Sequence, residues 1–491
     1  MRFGEMVIII FVIVLALVTI WGQKTKKSWL IYSLIALYAL ILVQIIVEGY
    51  RWQMVPCYAA SVALAICVIL RKNDRKQRPR NRRYFIGWMW TLILILYSSG
   101  MFALPALLPV FAFNQPHGPY PVGTAVYHFV DNERPDEYSA DPTDHRELMV
   151  QFWYPSEQET TKETAPYIRD VASITQGLEH ALSFPAWTLS HLGLVKTRSY
   201  SNIHLSSAKQ KYPILIFSHG MTGFRSQNTF QVEELASYGY IVVGIDHPYD
   251  AAATVYPDGR EILIQTHNLS GFEGLDEHMP LWTEDVSFVL DRLEQLNRQD
   301  EQDLFTGRLD LDRIGMFGHS YGGATAAQML MKDARIKAAI NMDGTLYGDP
   351  MPSTGLTKPY LQMNGEKSID KAIFDNKLDQ AIVQSGKTKE DYEEFWEETV
   401  RRRTNALQGG GYTMTIPHTS HMSFTDFHLF SPLLPNSGED PRSVHRIINE
   451  VSVTFFDQFL KGVPNNDMDR LAEKYPDIEL VHSKSLDSLL K

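Results

Sequence analysis

Cysteine is nearly absent from this chain, which has two among its 491 residues. Both, Cys57 and Cys67, lie in one apolar stretch near the N-terminus. A fold held together by disulfide bonds is therefore excluded. Wholesale disorder is excluded too, because 44% of the residues are hydrophobic and only 21% are charged. The length leaves room for two or three domains.

Acidic residues are scarce in the first part of the chain. Residues 1–112 contain three acidic and thirteen basic residues, whereas the remainder contains 54 acidic and 33 basic residues. Phosphate is repelled by so acidic a remainder, so we expect no nucleic-acid partner for it. The basic part is also the most apolar part, which indicates a segment inserted in a lipid bilayer.

Four apolar runs lie within residues 1–112. They are Met6 to Trp21, Trp29 to Val47, Trp52 to Leu70, and Tyr84 to about Leu104. The last three have the length of about 20 residues that crosses a hydrocarbon core. A cleaved signal peptide is the alternative for the shorter first run, but its lysines follow the run instead of preceding it. The pattern predicts a transmembrane region of about four helices, with no charged residue well inside a span, and hence an anchor.

The loops between the runs differ in charge, which predicts the orientation of the helices. Lys24, Lys26 and Lys27 follow the first run, and residues 71–83 after the third run contain eight basic residues. The positive-inside rule places these two loops in the cytoplasm. We therefore expect a multi-pass protein of the plasma membrane whose C-terminal domain is extracellular. A nucleic-acid site in the basic loop is the less favoured interpretation.

Residues 113–491 alternate short apolar runs with amphipathic stretches. Predicted strands include Pro213 to Ser218, Tyr240 to Ile245, Arg313 to Phe317, Ile336 to Met342, Pro359 to Met363 and Tyr412 to Ile416. This alternation predicts one α/β domain with a mostly parallel central sheet. Insertions interrupt the pattern near 156–206, 249–280 and 366–411. The first has an apolar middle that either forms a lid or packs against the sheet.

A Gly-x-Ser-x-Gly pattern lies between a predicted strand and a predicted helix. It reads Gly318-His319-Ser320-Tyr321-Gly322. Small residues are needed on both sides of a serine that sits on so sharp a turn, because larger side chains would collide with the flanking elements. Such a turn exposes the serine hydroxyl above the sheet, so Ser320 is the candidate nucleophile.

Two backbone N–H groups are needed to bind the oxyanion that forms when a serine attacks a carbonyl. The residue after the nucleophile, Tyr321, is expected to supply one of them. Ser218-His219-Gly220-Met221 follows an earlier buried strand, and its glycine allows close approach of the backbone. We expect the Met221 N–H to be the second donor and His219 to shape this loop.

The candidate base is a histidine after the predicted strand Tyr412 to Ile416. His418 and His421 both follow that strand. A catalytic imidazole must reach back over the strand ends, which favours His421 without excluding His418.

The candidate acid is a carboxylate at a strand end. Asp343 follows the strand after the nucleophile, and Glu366 follows the next strand. The positions alone leave these two open.

Motifs for metals and for phosphate-bearing cofactors are missing. The sequence contains no His-Glu-x-x-His and no glycine loop of the phosphate-binding type. We therefore expect neither a cofactor nor a metal.

Several motifs together resemble the plasma-type platelet-activating factor acetylhydrolase family of α/β-hydrolases. They are Phe152-Trp153-Tyr154-Pro155, Phe217-Ser218-His219-Gly220, Asp310 to Gly323, Asn341-Met342-Asp343-Gly344, and His421-Met422-Ser423-Phe424. The four N-terminal spans and the insertions depart from that family's pattern.

The resemblance implies an esterase that cleaves short or oxidised acyl chains from phospholipids without a metal. It implies Ser320 as nucleophile, Asp343 as acid, His421 as base, and the amides of Met221 and Tyr321 as the oxyanion hole. Transfer of the acyl group to an acceptor other than water is an alternative, and so is a membrane sensor with a silent hydrolase domain. The sequence leaves the acyl length, the head group and the oligomeric state open.

Overall fold

The structure of the protein, a computed structural model, describes residues 1–22, 24–71, 80–157, 163–182, 184–265, 269, 271–385, 387–434, 438–463 and 467–483. The chain divides into two compact units. The first contains Met1–Phe111, Thr188–Val195 and Phe430–Leu433, and the second contains the other residues. Residues 72–79, which form most of the basic loop after the third apolar run, lie outside the described residues.

Four apolar helices form most of the first unit. They are α1 (Phe3–Trp21), α2 (Lys27–Glu48), α3 (Val55–Leu70) and α4 (Arg80–Leu107). A 3-10 turn, Trp52–Met54, leads into α3 and completes its apolar run. All four runs are long and apolar enough to cross a membrane, with mean hydropathies from 1.7 to 2.9. The four predicted helices are confirmed.

A buried ion pair lies at one end of this helical unit. Helix α1 begins at Phe3, three residues before the predicted run, and so includes Glu5, whose side chain is fully buried. Both carboxylate oxygens of Glu5 accept hydrogen bonds from Arg51, at 2.6 and 2.5 Å. Arg51 also donates to the carbonyl of Leu108. The sequence pattern did not predict this pair, because its two residues flank different apolar runs.

The first insertion contributes a short stretch, Thr188–Val195, to the helical unit. Trp52 Nε1 donates to the carbonyl of Thr188 at 3.2 Å, and Leu189 and Leu192 are buried. The C-terminal part of the apolar middle, Thr188–Val195, therefore packs in the unit that contains the four helices.

The second unit is built on an 11-stranded sheet. The strands are β1 (Val122–Pro135), β2 (His145–Pro155), β3 (Thr164–Pro166), β4 (Lys196–Ser201), β5 (Tyr212–Ser218), β6 (Ile241–Ile245), β9 (Leu309–His319), β10 (Ile336–Met342), β11 (Tyr360–Gly365), β12 (Tyr412–Ile416) and β13 (Glu479–His482). Their order in the sheet is β13-β12-β11-β10-β9-β5-β6-β2-β1-β4-β3. The neighbours from β6 through β5, β9, β10 and β11 to β12 are all parallel. This confirms the predicted mostly parallel sheet.

Helices accompany the sheet. They are α5 (Val171–Leu182), α6 (Thr229–Ser237), α7 (Gly271–Arg298), α8 (Tyr321–Lys332), α9 (Glu366–Ile369), α10 (Lys371–Ser385), α11 (Lys389–Leu407), α12 (Pro441–Leu460) and α13 (Asp467–Lys474). A two-stranded ribbon, β7 (Ala253–Val255) and β8 (Glu261–Leu263), lies apart from the main sheet. The interior positions of β5 and β6 are completely buried, as expected for strands with both faces covered.

Parts of the predicted insertions and tail belong to regular elements. Strands β3 and β4 come from the first insertion, and β13 comes from the C-terminal region. Helix α7 begins at Gly271, inside the second insertion, and continues through Pro280. Their sequences carry weak strand or helix signals, because the edge strands are short and partly exposed and a proline usually ends a helix.

The topology brings several loops to one edge of the sheet. Since β5, β6, β9, β10, β11 and β12 run in the same direction, their carboxyl ends lie at the same edge. Ligands of open α/β sheets bind at that edge, and the candidate residues all follow these strands.

Candidate active site

Ser320 lies on a sharp turn between β9 and α8. Its backbone has φ 55° and ψ −122°, in the left-handed region that L-residues rarely adopt. A Cβ at Gly318 would lie 2.2 Å from the carbonyl oxygen of Gly322, and a Cβ at Gly322 would lie 2.1 Å from the carbonyl oxygen of Ser218. These contacts explain why both flanking positions are glycine.

The structure brings Ser320, His421 and Asp343 together as a chain of hydrogen bonds. His421 Nε2 lies 2.9 Å from Ser320 Oγ. On the other side of the ring, His421 Nδ1 lies 2.8 Å from Asp343 Oδ2. Because a carboxylate accepts, the proton of the neutral ring belongs on Nδ1, and Nε2 is left to accept the serine hydroxyl proton. This arrangement is the one that activates a serine for attack on a carbonyl carbon.

Asp343 is buried and held by several donors. Its Oδ1 accepts a hydrogen bond from the Gly365 N–H at 2.7 Å, and its Oδ2 accepts one from Ser368 Oγ at 2.6 Å. Burial alone would raise the pKa of Asp343, but the hydrogen bonds from His421, Ser368 and Gly365 outweigh it and hold this pKa below its ordinary value. The carboxylate is therefore ionised at neutral pH and fixed in direction.

His418 and Glu366, the alternative base and acid, lie together and outside the hydrogen-bond chain of Ser320, His421 and Asp343. The side chains of His418 and Glu366 are 77% and 46% exposed, against 3% for Asp343. Glu366 Oε2 accepts a hydrogen bond from the His418 backbone N–H at 2.8 Å. The structure thus brings neither alternative into the hydrogen-bond chain of Ser320.

The expected oxyanion-hole residues lie beside the serine. A Cβ at Gly220 would approach Ser320 Cβ to 3.2 Å, so the loop after β5 passes directly beside the candidate nucleophile. Tyr321 begins helix α8, where backbone N–H groups have no partner within the helix. Among the hydrogen bonds of the described residues, the N–H groups of Met221 and Tyr321 have no acceptor.

An apolar wall adjoins these groups. Trp282, Met279 and Ala324 are buried around Tyr321, and four partly buried residues pack against them. Those four are Met221, Leu275, Leu281 and Tyr347. Such a surface beside a nucleophile can accept the hydrocarbon part of a substrate.

One residue near the base was not predicted from the sequence. His319 Nε2 donates to the backbone carbonyl of His421 at 2.9 Å, while its Nδ1 accepts from Gln227 Nε2 at 3.1 Å. The imidazole therefore holds the loop that carries His421, the candidate base. Its position inside the Gly-x-Ser-x-Gly pattern is compatible with many side chains, so nothing in the sequence distinguished it.

His319 makes the stability of the fold depend on pH. Burial, followed by the neighbouring His421, lowers its pKa from 6.5 to about 3. As the pH falls from 6.5 towards 3, the unfolded chain binds a proton at this residue before the native chain does. The native state should lose about 1.4 kcal/mol per pH unit through this residue, and none of that loss should occur in His319→Asn. Melting curves of both proteins between pH 6.5 and 4 measure the difference, and a stability gap that is independent of pH would contradict the account.

No metal site accompanies the array: within the part of the chain that the structure describes, no three His, Cys, Asp or Glu side chains are placed to hold an ion.

A family model described as platelet-activating factor acetylhydrolase, isoform II, matches residues 109–266 and 289–476, more than half of the chain. The chain belongs to this family. The resemblance found in the sequence motifs is thereby confirmed, and the protein is a hydrolase of carboxylic esters.

Individual relatives agree with this assignment. A probable 1-alkyl-2-acetylglycerophosphocholine esterase from Arthroderma benhamiae is 25% identical over 382 residues, covering 74% of this chain and 86% of that protein. A platelet-activating factor acetylhydrolase from Cavia porcellus is 27% identical over 312 residues, covering 56% of this chain and 63% of that protein.

A solved structure has the same fold. The ferulic acid esterase from Streptomyces cinnamoneus matches with a TM-score of 0.57 and 27% identity, covering 76% of this chain and all of that chain. The prediction of an α/β-hydrolase fold is confirmed.

Proposed function

We propose that this acetylhydrolase-family protein hydrolyses a short acyl ester of a glycerophospholipid through Ser320, His421 and Asp343. The observation that supports this most is the continuous hydrogen-bond chain from Ser320 Oγ through His421 to Asp343. His421 takes the serine proton while the serine attacks the ester carbonyl, and Asp343 orients the imidazole and stabilises the imidazolium.

The N–H groups of Met221 and Tyr321 bind the oxyanion in this proposal. The alcohol of the substrate then leaves with the proton from His421, and an acyl group stays on Ser320. Water releases that group in a second attack with His421 again as base. The side chain of His421 is 45% exposed, so water reaches the base, which favours hydrolysis over transfer to another acceptor.

The substrate class rests on the relatives and on the apolar wall. The fungal relative is named for cleavage of an acetyl ester of an alkyl glycerophosphocholine. The apolar wall around Tyr321, which includes Met221 and Leu275, lies beside Ser320, where the hydrocarbon part of such a lipid can lie.

Hydrolysis of matched esters tests the proposal. The full-length protein in detergent is given 1-alkyl-2-acetyl-glycerophosphocholine, its long-chain 2-acyl counterpart, and p-nitrophenyl acetate. We expect the wild type to release acetate from the acetyl lipid and to release fatty acid from the long-chain lipid much more slowly. Ser320→Ala should release neither product. Hydrolysis of p-nitrophenyl acetate alone would refute the phospholipid part, and wild-type activity that persists in Ser320→Ala would refute the assignment of the nucleophile.

The four apolar helices are proposed to anchor the protein in the plasma membrane with the hydrolase unit outside. The basic loops at Lys24 to Lys27 and at residues 71–83 support this orientation. Protease added to intact cells should then digest the acidic C-terminal part while sparing the basic loop. Protection of the C-terminal part would reverse the orientation.

A further inference from the structure

The orientation of one peptide decides whether the loop after β5 can bind an oxyanion. The carbonyl of Gly220 and the N–H of Met221 belong to the same planar trans peptide, so they point in opposite directions. Glycine allows that plane to rotate at little cost. If it turned over, a carbonyl oxygen would face the reacting ester in place of the Met221 N–H.

Two hydrogen bonds fix the direction of the Gly220 carbonyl. His219 Nδ1 donates to it at 2.7 Å, and the Gly223 N–H donates to it at 2.8 Å. Both donors lie on the loop itself, and the His219 side chain is completely buried. The carbonyl therefore points towards these donors, and the Met221 N–H points the opposite way.

The contact made by Nε2 of His219 decides which nitrogen of this ring carries the proton. Its Nε2 lies 3.2 Å from the backbone N–H of His247 and accepts from it. An imidazolium would place two hydrogens against each other there, so only the neutral ring with the proton on Nδ1 fits both contacts. Burial, followed by the neighbouring His247, lowers the pKa of His219 to about 3, in agreement with a neutral ring.

A second array of serine, histidine and aspartate holds the turn after β6. That turn contains His247, whose backbone N–H donates to His219. Ser218 Oγ lies 2.9 Å from His247 Nε2, and His247 Nδ1 lies 2.9 Å from Asp285 Oδ2. All three side chains are fully buried, so Ser218 has no access to a substrate. Arg146 pairs with Asp285 at 2.7 Å, and together these groups keep His247 in place.

The turn after β6 also supports Thr222, a strained residue of the loop after β5. Thr222 has φ 66°, which is unfavourable for a β-branched residue. Its backbone N–H donates to the carbonyl of Asp250 at 2.9 Å. The Asp250 carboxylate in turn accepts hydrogen bonds from Trp282 and His278. Trp282 packs edge-on against Tyr321, so one buried network contacts both sides of the proposed oxyanion hole.

We propose that His219 is a positioning residue whose neutral imidazole locks the Gly220–Met221 peptide with its N–H towards the reacting carbonyl. The proposal rests on the proposed serine-hydrolase function. The proposal predicts that the oxyanion hole is formed before substrate binds. Loss of the oxyanion hole should lower kcat with little effect on KM, because the oxyanion exists only during reaction.

Two substitutions separate this role from packing. In His219→Asn the side-chain amide lies near the position of Nδ1 and can still donate to the Gly220 carbonyl. In His219→Gln the amide lies near the position of Nε2 and cannot donate to the Gly220 carbonyl. Both remove the ring from its contact with Trp282. We expect His219→Gln to lower kcat by about 10²–10³, as for loss of one oxyanion donor, and His219→Asn to recover most of it.

A thionoester substrate gives a readout that packing alone would not change. Sulfur accepts hydrogen bonds poorly, so a formed oxyanion hole prefers an ester over its thiono analogue. This preference in kcat/KM should shrink in His219→Gln and persist in His219→Asn, with melting curves recorded for both. Equal losses in the two variants, or no loss in either, would overturn the proposal.

A crystal structure of the phosphonate-inhibited wild-type protein provides a test that needs no variant. The Met221 N–H should contact the phosphonyl oxygen while His219 still contacts the Gly220 carbonyl, and a turned peptide would refute the lock. A wild-type protein that cleaves no ester would instead refute the proposed function. Active wild-type enzyme with unaffected His219 variants would refute the lock alone.

Discussion

Replacing Ser320 by alanine should abolish both ester hydrolysis and labelling by a fluorophosphonate probe. The hydroxyl of Ser320 is the group that His421 Nε2 contacts at 2.9 Å, and alanine leaves nothing to attack the carbonyl. We expect kcat to fall by about 10⁴–10⁶, because the members of a triad act as a unit. The fall is measured with p-nitrophenyl acetate and the probe on the purified full-length protein.

A matched control excludes a general effect of losing a serine hydroxyl. Ser139 is a partly exposed loop residue whose Oγ contacts Asp144, and Ser139→Ala should keep wild-type activity. Both variants should melt close to the wild type, since Ser320 contributes no packing to the core. Persistent labelling in Ser320→Ala would mean that another residue is the nucleophile.

Replacing Asp343 by asparagine should be nearly as severe, whereas Glu366→Gln should leave kcat almost unchanged. Asparagine presents an amide that no longer enforces the proton on His421 Nδ1 and cannot stabilise the imidazolium. We expect kcat to fall by about 10⁴ with a small change in KM. Steady-state kinetics on the acetyl ester measure both values.

Glu366 is the matched control, because both carboxylates follow neighbouring strands of the sheet. Its side chain is 46% exposed and contacts the His418 backbone, so its loss removes one surface interaction. The same comparison applies to the bases, with His421→Gln severe and His418→Gln mild. A crippled Glu366→Gln beside an active Asp343→Asn would contradict the proposed array.

The alternating pattern of the sequence was sufficient to predict the central strands. Strand β10 and strand β12 begin and end where the apolar runs predict, at Ile336–Met342 and Tyr412–Ile416. Buried parallel strands have continuous apolar sequences bounded by polar turns, so their limits are sharp. The strands β3, β4 and β13 are short and lie towards the sheet edges, where the apolar signal is weak.

The proximity of Ser320, Asp343 and His421 could be predicted because each follows a strand of the same parallel sheet. The loop position favoured His421 over His418, whereas the choice between Asp343 and Glu366 depended on family resemblance, because both carboxylates follow a suitable strand. The structure separates them through loop conformation: Asp343 has φ 55° and turns inwards, and the side chain of His418 remains in solvent.

The contacts of the buried histidines could not be predicted. His219 and His319 are both neutral, but one donates from Nδ1 and the other from Nε2. Which ring nitrogen carries the proton depends on partners that are distant in sequence, namely the backbone N–H of His247 for His219 and the carbonyl of His421 for His319. The same is true of the Glu5 and Arg51 pair, whose residues are 46 positions apart.

Mass spectrometry of the enzyme trapped during turnover tests the central claim most directly. The full-length protein is mixed with an acetyl ester, quenched in acid within the first turnover, digested and mapped. The proposed mechanism predicts one acetyl group on the peptide that contains Ser320, absent from Ser320→Ala and lost when quenching is delayed until substrate is exhausted. Turnover with the acetyl group on another residue, or with no acyl-enzyme at any quench time, would contradict it.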